Sequence, residues 1–307
     1  MGRYIARRLL LTIPVLIGAS FLIFAMVYAL PGDPIRALAG DRPLSEAVQA
    51  QLRAEYNLDD PLWLQYLKYV GGLLQGDFGT DFSGRAVLDT IEQRLPVTAR
   101  LALAAVIFEA LIGLTAGILA GIRRGSFFDN LVLVTTTLIV SVPVFVLGFV
   151  AQYVFGLRLG LFPTSGIGEG WYSYVLPGLV LASLSLAYVA RLTRTSLAEN
   201  LRQDYVRTAR AKGLKPAVVI GKHTLRNSLI PVVTFIGADI GALMGGAIVT
   251  ETIFNIPGLG RAVYDSVLRQ EGAVVVGIVT LFVFFYIFFN LVVDILYALL
   301  DPRIRYD

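Results

Sequence analysis

The chain has no cysteine and a single histidine among its 307 residues. Structural disulfides, thiolate metal sites and multi-histidine metal centres are therefore excluded, and the redox compartment is left open. Charge is scarce too: Asp, Glu, Lys and Arg make up 16% of the chain, against roughly 25% in soluble domains. Apolar residues stand in their place, at 56%, with a mean hydropathy of +0.71. Such a composition belongs in a bilayer, so the length is read as one membrane-embedded bundle rather than as soluble domains. No repeat relates the two halves, and neither a low-complexity stretch nor a linker marks a second domain, so 1–307 is expected to be a single transmembrane domain.

A catalytic constellation is also missing. The nearest approach to a phosphate loop lies between Gly213 and Thr224, but Gly221-Lys222 is followed by His223, and Pro216 stands where the first glycine is needed. His223, alone among basic residues, reads as a surface or interface histidine. The chain is thus expected to be no enzyme and to bind no cofactor, metal or nucleic acid itself. If ATP is used, another subunit must hydrolyse it.

What is present is a series of long apolar runs. A spanning helix needs roughly 20 mostly apolar residues. Six runs qualify, at about 9–30, 97–122, 130–156, 173–193, 229–251 and 273–299. The first, behind Arg7 and Arg8, is longer than a signal-peptide core and lacks a small-residue cleavage site, so it reads as an uncleaved anchor, with Pro14 expected to kink its first turns. Lys and Arg set the orientation. Arg3, Arg7, Arg8, then Arg123 and Arg124, then the nine basic residues from Arg191 to Arg226, then Arg303 and Arg305, all fall on one side. That side is expected to be cytoplasmic, with both termini on it.

The external segment 31–96 carries two amphipathic patterns. Leu44, Val48, Leu52 and Tyr56 repeat at i+4. Asp60 is placed to cap a second helix starting at Pro61, with Trp63, Leu67, Val70 and Leu74 as its apolar residues and Gly76 as its stop. These helices either cover the bundle and the membrane surface or help to receive an external partner. Residues 252–272 contain Pro257-Gly258-Leu259-Gly260, which favours a turn or partly inserted loop near the mouth of a path. Asn255, Pro257 and Leu259 are its candidate gate or docking residues.

Within the spans, Gly113, Gly117 and Gly121 share one helix face, and Gly237, Gly241 and Gly245 share another. Such rows let backbones approach closely, either for static close contact or for sliding. Glu109, Asp239 and Asp294 are intramembrane acids, which face protein or water. Asp294 is placed to pair with Arg191 or Arg194. Asp239, Glu109 and Gly241 are candidates for lining a translocation path, with buried hydrogen bonding as the plainer reading of the two acids.

The segment 194–228 is longer than a mere connector, about 38 residues counted from Arg191. Asp204 is placed to cap a short helix, Arg210 and Lys212 favour its end, and Gly213 terminates it before Pro216. Tyr205, Ala209 and Gly213 lie at i+4 spacings, so the expectation is an apolar stripe for a partner groove, with Arg207, Arg210 and Lys212 at its rim.

These residues carry a resemblance. With Gly213 as the fixed glycine, Arg207-Thr208-Ala209 fall at the Glu-Ala-Ala positions of the cytoplasmic loop of binding-protein-dependent ABC importer permeases. Ala209 and Gly213 match that pattern, whereas Arg207 and Thr208 depart. The run Asp204 to Gly213, then His223 to Pro231, resembles more closely the dipeptide, oligopeptide and nickel branch. So do Pro31-Gly32-Asp33-Pro34, Asp60 to Tyr66, Leu74 to Gly79, Arg94 to Thr98, Glu251 to Gly260 and Leu300 to Arg305. The resemblance covers essentially the whole chain and is nearest to the B-type permease subunits of dipeptide importers.

The resemblance implies a type I ABC importer permease fold: an all-α membrane protein of six transmembrane helices in the bacterial inner membrane. It implies a homologous C-type permease, two ATPase subunits or a fused pair holding ATP and Mg, and an extracytoplasmic solute-binding protein. It also implies a coupling role for Asp204, Tyr205, Arg207, Ala209, Arg210 and Gly213 against the ATPases. Cargo in that branch ranges over dipeptides, longer peptides, nickel, glutathione and haem. The rival class is a proton-coupled secondary carrier using Glu109, Asp239 and Asp294 as a relay, which leaves the long basic loop without a purpose.

Overall fold

The computed structural model describes residues 2–28, 45–55 and 57–300. Among them the chain is helical, with an isolated antiparallel bridge between Thr80 and Ala86. The helices are α1 (Gly2–Tyr28), α2 (Glu46–Glu55), α3 (Leu62–Leu73), α4 (Val87–Phe108), α5 (Leu114–Ile122), α6 (Phe127–Ser141), α7 (Val144–Ala151), α8 (Val175–Asn200), α9 (Asp204–Ala211), α10 (Ile230–Ile253), α11 (Leu259–Leu268) and α12 (Gly272–Leu300). The Pro31-Gly32-Asp33-Pro34 run, Leu44, Tyr56 and the C-terminal Arg303 and Arg305 lie outside the described residues, as do the side chains of Arg3 and Leu52.

Five stretches are long and apolar enough to cross a membrane: Ala6–Tyr28, Val87–Ile122, Gly170–Asn200, Ile230–Ile253 and Gly272–Ile295. The sixth, expected at 130–156, is broken: Phe127–Ser141 and Val144–Arg158 meet at 103°. Pro143 explains the break. It has no N–H to continue the helix, and it forces Val142 into extended backbone, with φ −105 and ψ 129. By contrast, α1 runs through Pro14 as one helix, and α4 begins well before the expected residue 97 and passes through Pro96.

The bundle is built around α8, which packs against α4, α5, α6, α7 and α10. Its buried residues include Val180, Ala187, Ala190, Thr193 and Leu197. Gly113 and the two α5 glycines form one side of that contact: a Cβ on Gly117 would lie 2.5 Å from the Ala190 carbonyl oxygen, and Gly113 and Gly121 sit against Val189 and Leu197. Between α4 and α5 the helix makes one π turn, Glu109–Gly113, which inserts a residue and rotates the face presented beyond it. On the second row, Gly237 meets Val293 and Gly241 meets the Tyr286 backbone, whereas a Cβ on Gly245 would meet nothing within 4 Å.

The outer helix α3 covers the bundle through one face. Tyr66 is buried, its hydroxyl 2.8 Å from the Ser20 hydroxyl, and it clusters with Phe24 and Val276. The apolar face is not the expected one: Trp63, Leu67 and Leu74 are exposed, and the covered side is Leu62, Tyr66, Tyr69 and Val70. Asp60 does not cap this helix. Pro61 is the N-cap with no side-chain bond, and Asp60 instead holds Lys68 Nζ at 2.5 Å. The turn leading into α4 is pinned by Asp81, whose Oδ1 accepts from Ser83 N, the Ser83 hydroxyl and Arg85 N. Burial works against ionising this carboxyl, but those donors and the Arg85 charge hold it below the usual carboxylate range.

Candidate functional site

The candidate residues fall at three depths. At the basic end, α9 forms as expected, but its start differs. Gln203 is the N-cap, with extended backbone and no side-chain bond, and Asp204 is the first helical residue, paired with Arg207 at 3.2 Å. Its end follows the expectation: Gly213 takes φ +75, its N–H donates to the Arg210 carbonyl at 2.9 Å, and Leu214 N reaches back to the Ala209 carbonyl at 3.4 Å. This is the left-handed cap that glycine adopts without a steric penalty.

The face of α9 is the main correction here. Ala209 is not free for a partner groove, because Val206 and Ala209, spaced i+3, are buried with Val219 of the same chain. Tyr205 lies to one side, partly exposed, with its hydroxyl donating to Asn200 Oδ1 at 2.6 Å. Arg207, Arg210 and Lys212 are exposed, as are Thr208, Ala211 and Gly213. The i+4 stripe counted from Tyr205 overlooked Val206, and the side of the helix left for a partner is the polar one. The Ser196 hydroxyl donates to the Ser228 carbonyl at 3.0 Å and ties α8 to the short turn, Leu225–Ser228, that precedes α10.

Two ion pairs frame this end. Asp294 pairs with Arg8 at 3.0 Å, joining the first and last spans, rather than with Arg191 or Arg194. Arg191 turns back to the Ala187 carbonyl, and Arg194 forks onto Asp129, with Nη2 to Oδ2 at 2.9 Å. Asp129 is buried, and its Oδ2 also accepts Gly125 N at 2.7 Å. Asp129 sits at the edge of an apolar run, where its partner cannot be seen from the sequence.

At mid-depth, Glu109 on the π turn and Asp239 on α10 are brought within electrostatic range of each other. Glu109 is fully buried inside the chain. Neither it nor Gly241 lines an open path: Gly241 is covered by Tyr286 of α12, where a Cβ would lie 2.5 Å from its Cα. Asp239 is half-buried. Asp294 lies apart on Arg8, so the three acids do not assemble into a relay.

At the outer end, the chain leaves α10 through Phe254 to Gly258 and enters α11. Phe254 and Ile256 are buried, while Asn255, at φ +52, and Pro257 are exposed. Leu259 is also fully buried, so of the three docking candidates only Asn255 and Pro257 face outward. The expected loop is thus short, and 259–268 is helical. Its attachment was not foreseen. Glu251 is fully buried; its Oε1 accepts the Thr98 hydroxyl at 2.7 Å and its Oε2 accepts Arg261 N at 2.9 Å. The same Thr98 oxygen accepts Leu259 N at 2.8 Å. The N-cap of α11 is Gly258, which has no side chain to offer its own helix. A carboxylate from α10 and a hydroxyl from α4 therefore take the orphan N–H groups instead. A Cβ on Gly258 would fall onto the Glu251 carboxyl, and one on Gly260 would lie 2.6 Å from Ile248 Cα. In the sequence, Glu251 was visible only as part of a motif.

Residues 113–306 match the family described as "Binding-protein-dependent transport system inner membrane component", and residues 1–102 match its N-terminal companion. The chain is 40% identical to the di/tripeptide transport system permease protein DppB of Pseudomonas aeruginosa, with all of both chains covered. It is 41% identical to the glutathione transport system permease protein GsiC of Escherichia coli K12, again over the whole of both. Among solved structures it is similar to an inward-facing MetNI methionine ABC transporter chain, with TM-score 0.58, 18% identity, and coverage of 69% of this chain and 96% of that one.

Proposed function

The chain belongs to the binding-protein-dependent transport inner membrane components, and from that premise we propose that it forms one half of a path importing short peptides, glutathione included. It is an ABC importer permease with the type I fold, seated in the inner membrane. The observation that carries the cargo reading is the full-length identity of 40% and 41% to two permeases, both named for short peptides.

In this reading, 1–307 acts as one domain beside a homologous C-type permease, with the solute path between them. ATP and Mg reside in two ATPase subunits, or in a fused pair, on the basic side, which is cytoplasmic together with both termini. The exposed face of α9, with Tyr205, Arg207, Arg210 and Lys212, meets those subunits. Ala209 and Gly213 act indirectly, by seating and ending the helix. ATP binding draws the subunits together and moves α9, whose seat on Val219 and the Ser196–Ser228 tie pass the motion to α8 and α10. A solute-binding protein delivers cargo at the outer end, near Asn255 and Pro257. Two arrangements of similar energy, each favoured by one ligand, suffice for alternating access.

The test is uptake into vesicles holding the complete importer and its binding protein. Labelled dipeptide, tripeptide and glutathione are each offered with ATP inside. Accumulation of at least one, lost without ATP, is expected. Failure of all three, while a nickel chelate or haem is carried, overturns the cargo reading. Because the chain lacks cysteine, Arg210→Cys can be labelled with an impermeant reagent. Labelling from outside intact cells overturns the orientation.

A further inference from the structure

We propose that Glu251 and Thr98 are positioning residues of the outer gate: together they clip the loop Phe254–Gly258 to α4 and α10, so that the loop moves with both spans. The proposal rests on the reading that this loop receives the binding protein or its cargo.

The geometry is that of a cap supplied in trans. Thr98 stands on α4 and Glu251 near the end of α10, yet both spend their oxygens on the first turn of α11, at Leu259 N and Arg261 N. The two side chains are also bonded to each other. Removing the Thr98 hydroxyl therefore opens two bonds at once: Leu259 N loses its acceptor, and Glu251 Oε1 loses its donor. The bond from Arg261 N to Glu251 remains, so the loop stays tied to α10 but is released from α4.

A carboxylate is a costly choice for a fully buried position, since an apolar filler often stabilises as well or better. Packing alone does not call for it. What a carboxylate offers is a strong directional acceptor for backbone N–H groups, together with a fixed distance between elements. Gly258 and Gly260 leave the room that this approach needs: side chains there would displace the carboxyl or the α10 backbone. The neighbouring anchors act on the loop and on the last residue of α10. Gly166 N donates to the Phe254 carbonyl at 2.9 Å, and Gln152 Nε2 to the Ile253 carbonyl at 3.2 Å. Of the bonds at this loop, those through Thr98 are the ones that reach α4.

The decisive comparison is Thr98→Val, which keeps the shape and loses the hydroxyl, against Thr98→Ser, which keeps the hydroxyl. Two readouts are taken on the complete importer in vesicles. The first is labelling of Ile256→Cys, a position fully buried in the wild-type chain, by an impermeant thiol reagent from the binding-protein side. The second is the rise in ATP hydrolysis caused by loaded binding protein. Thr98→Val is expected to label at least about five-fold faster, the scale of one or two unsatisfied hydrogen bonds, and to lose most of the stimulation, while unstimulated hydrolysis persists. Thr98→Ser is expected to behave as wild type in both. Labelling in Thr98→Val as slow as in wild type overturns the brace. Fast labelling with full stimulation leaves the brace standing and overturns the docking role of the loop. Labelling is scored on assembled importer, so that a misfolded fraction does not pass for an opened loop; Glu251→Gln, with a donor in place of one acceptor, provides an independent second release of the loop.

Discussion

The outer loop and the inner helix are attached to the bundle in opposite ways. The segment after α10 is drawn into the core, with Phe254, Ile256 and Leu259 buried and its helix capped by side chains from two spans. Helix α9 rests its own Val206 and Ala209 on Val219 and turns its charges to solvent. Burying such side chains stabilises by roughly 1.5–3 kcal/mol each at most. The outer element is thus held by its own chain, whereas the inner one is held loosely enough that a partner's contacts can dominate its position.

The sharpest way to break this comparison is at the outer end. Gly260→Val sets a branched side chain against the Ile248 backbone, 2.6 Å from its Cα at the first carbon. Overfilling of this kind costs about 1–3 kcal/mol, and at times more, where backbone must move. We expect a clear loss of folded permease, read as the yield of monodisperse complex after detergent extraction. Near wild-type yield would show that the loop is not part of the core.

Ala209→Glu should act differently. A charge against Val206 and Val219 costs about 3–5 kcal/mol if it stays buried, more than the patch can hold, so α9 undocks. The spans should insert normally and uptake should fail, with ATP hydrolysis no longer responding to loaded binding protein. Retained, cargo-stimulated hydrolysis would remove α9 as the coupling element. Arg207→Ala on the exposed face is a smaller perturbation, because its pair with Asp204 is a surface one of about 0–1 kcal/mol. Little change in melting temperature is expected, and uptake should fall less than in Ala209→Glu. Melting well below wild type would place Arg207 among the structural residues.

The smallest effect is a pH dependence at the outer turn. The Asp81 carboxyl is held below its ordinary value of 3.8 in the folded chain, so the unfolded state binds its proton first. Its contribution to stability is complete above 3.8 and fades as pH falls through the lower, folded value. Wild type and Asp81→Asn should therefore differ in melting temperature at neutral pH and converge in strong acid. A gap that widens in acid would reverse the sign.

The spans could be read from the chain because long apolar runs have few other uses, and the glycine rows because their spacing forces a shared face. The break in the third span was legible in principle from Pro143, but a run of apolar residues on both sides hid it. The charge partners were not legible. Arg8, Arg191 and Arg194 all lay on the correct side for Asp294, and depth along the bilayer does not choose among them. The face of α9 turned on one position, since Val206 and Tyr205 are both apolar enough to start a stripe. Glu251 and Thr98 were hardest: they lie on different spans, and what joins them is the first turn of a third helix.

The stretch Val87–Ile122 contains 36 residues. At 1.5 Å per residue it measures about 54 Å, whereas the hydrocarbon layer is about 30 Å thick. If Ile122, which precedes Arg123 and Arg124, marks the inner boundary, then the first four turns of α4 stand clear of the lipid tails. Thr98 belongs to that projecting part, together with Arg94 and Arg100. Those cations therefore need no counter-charge within the apolar layer, and the bonds that hold the outer loop are enclosed by the chain itself rather than by lipid tails. A binding protein would meet a stalk raised above the membrane plane.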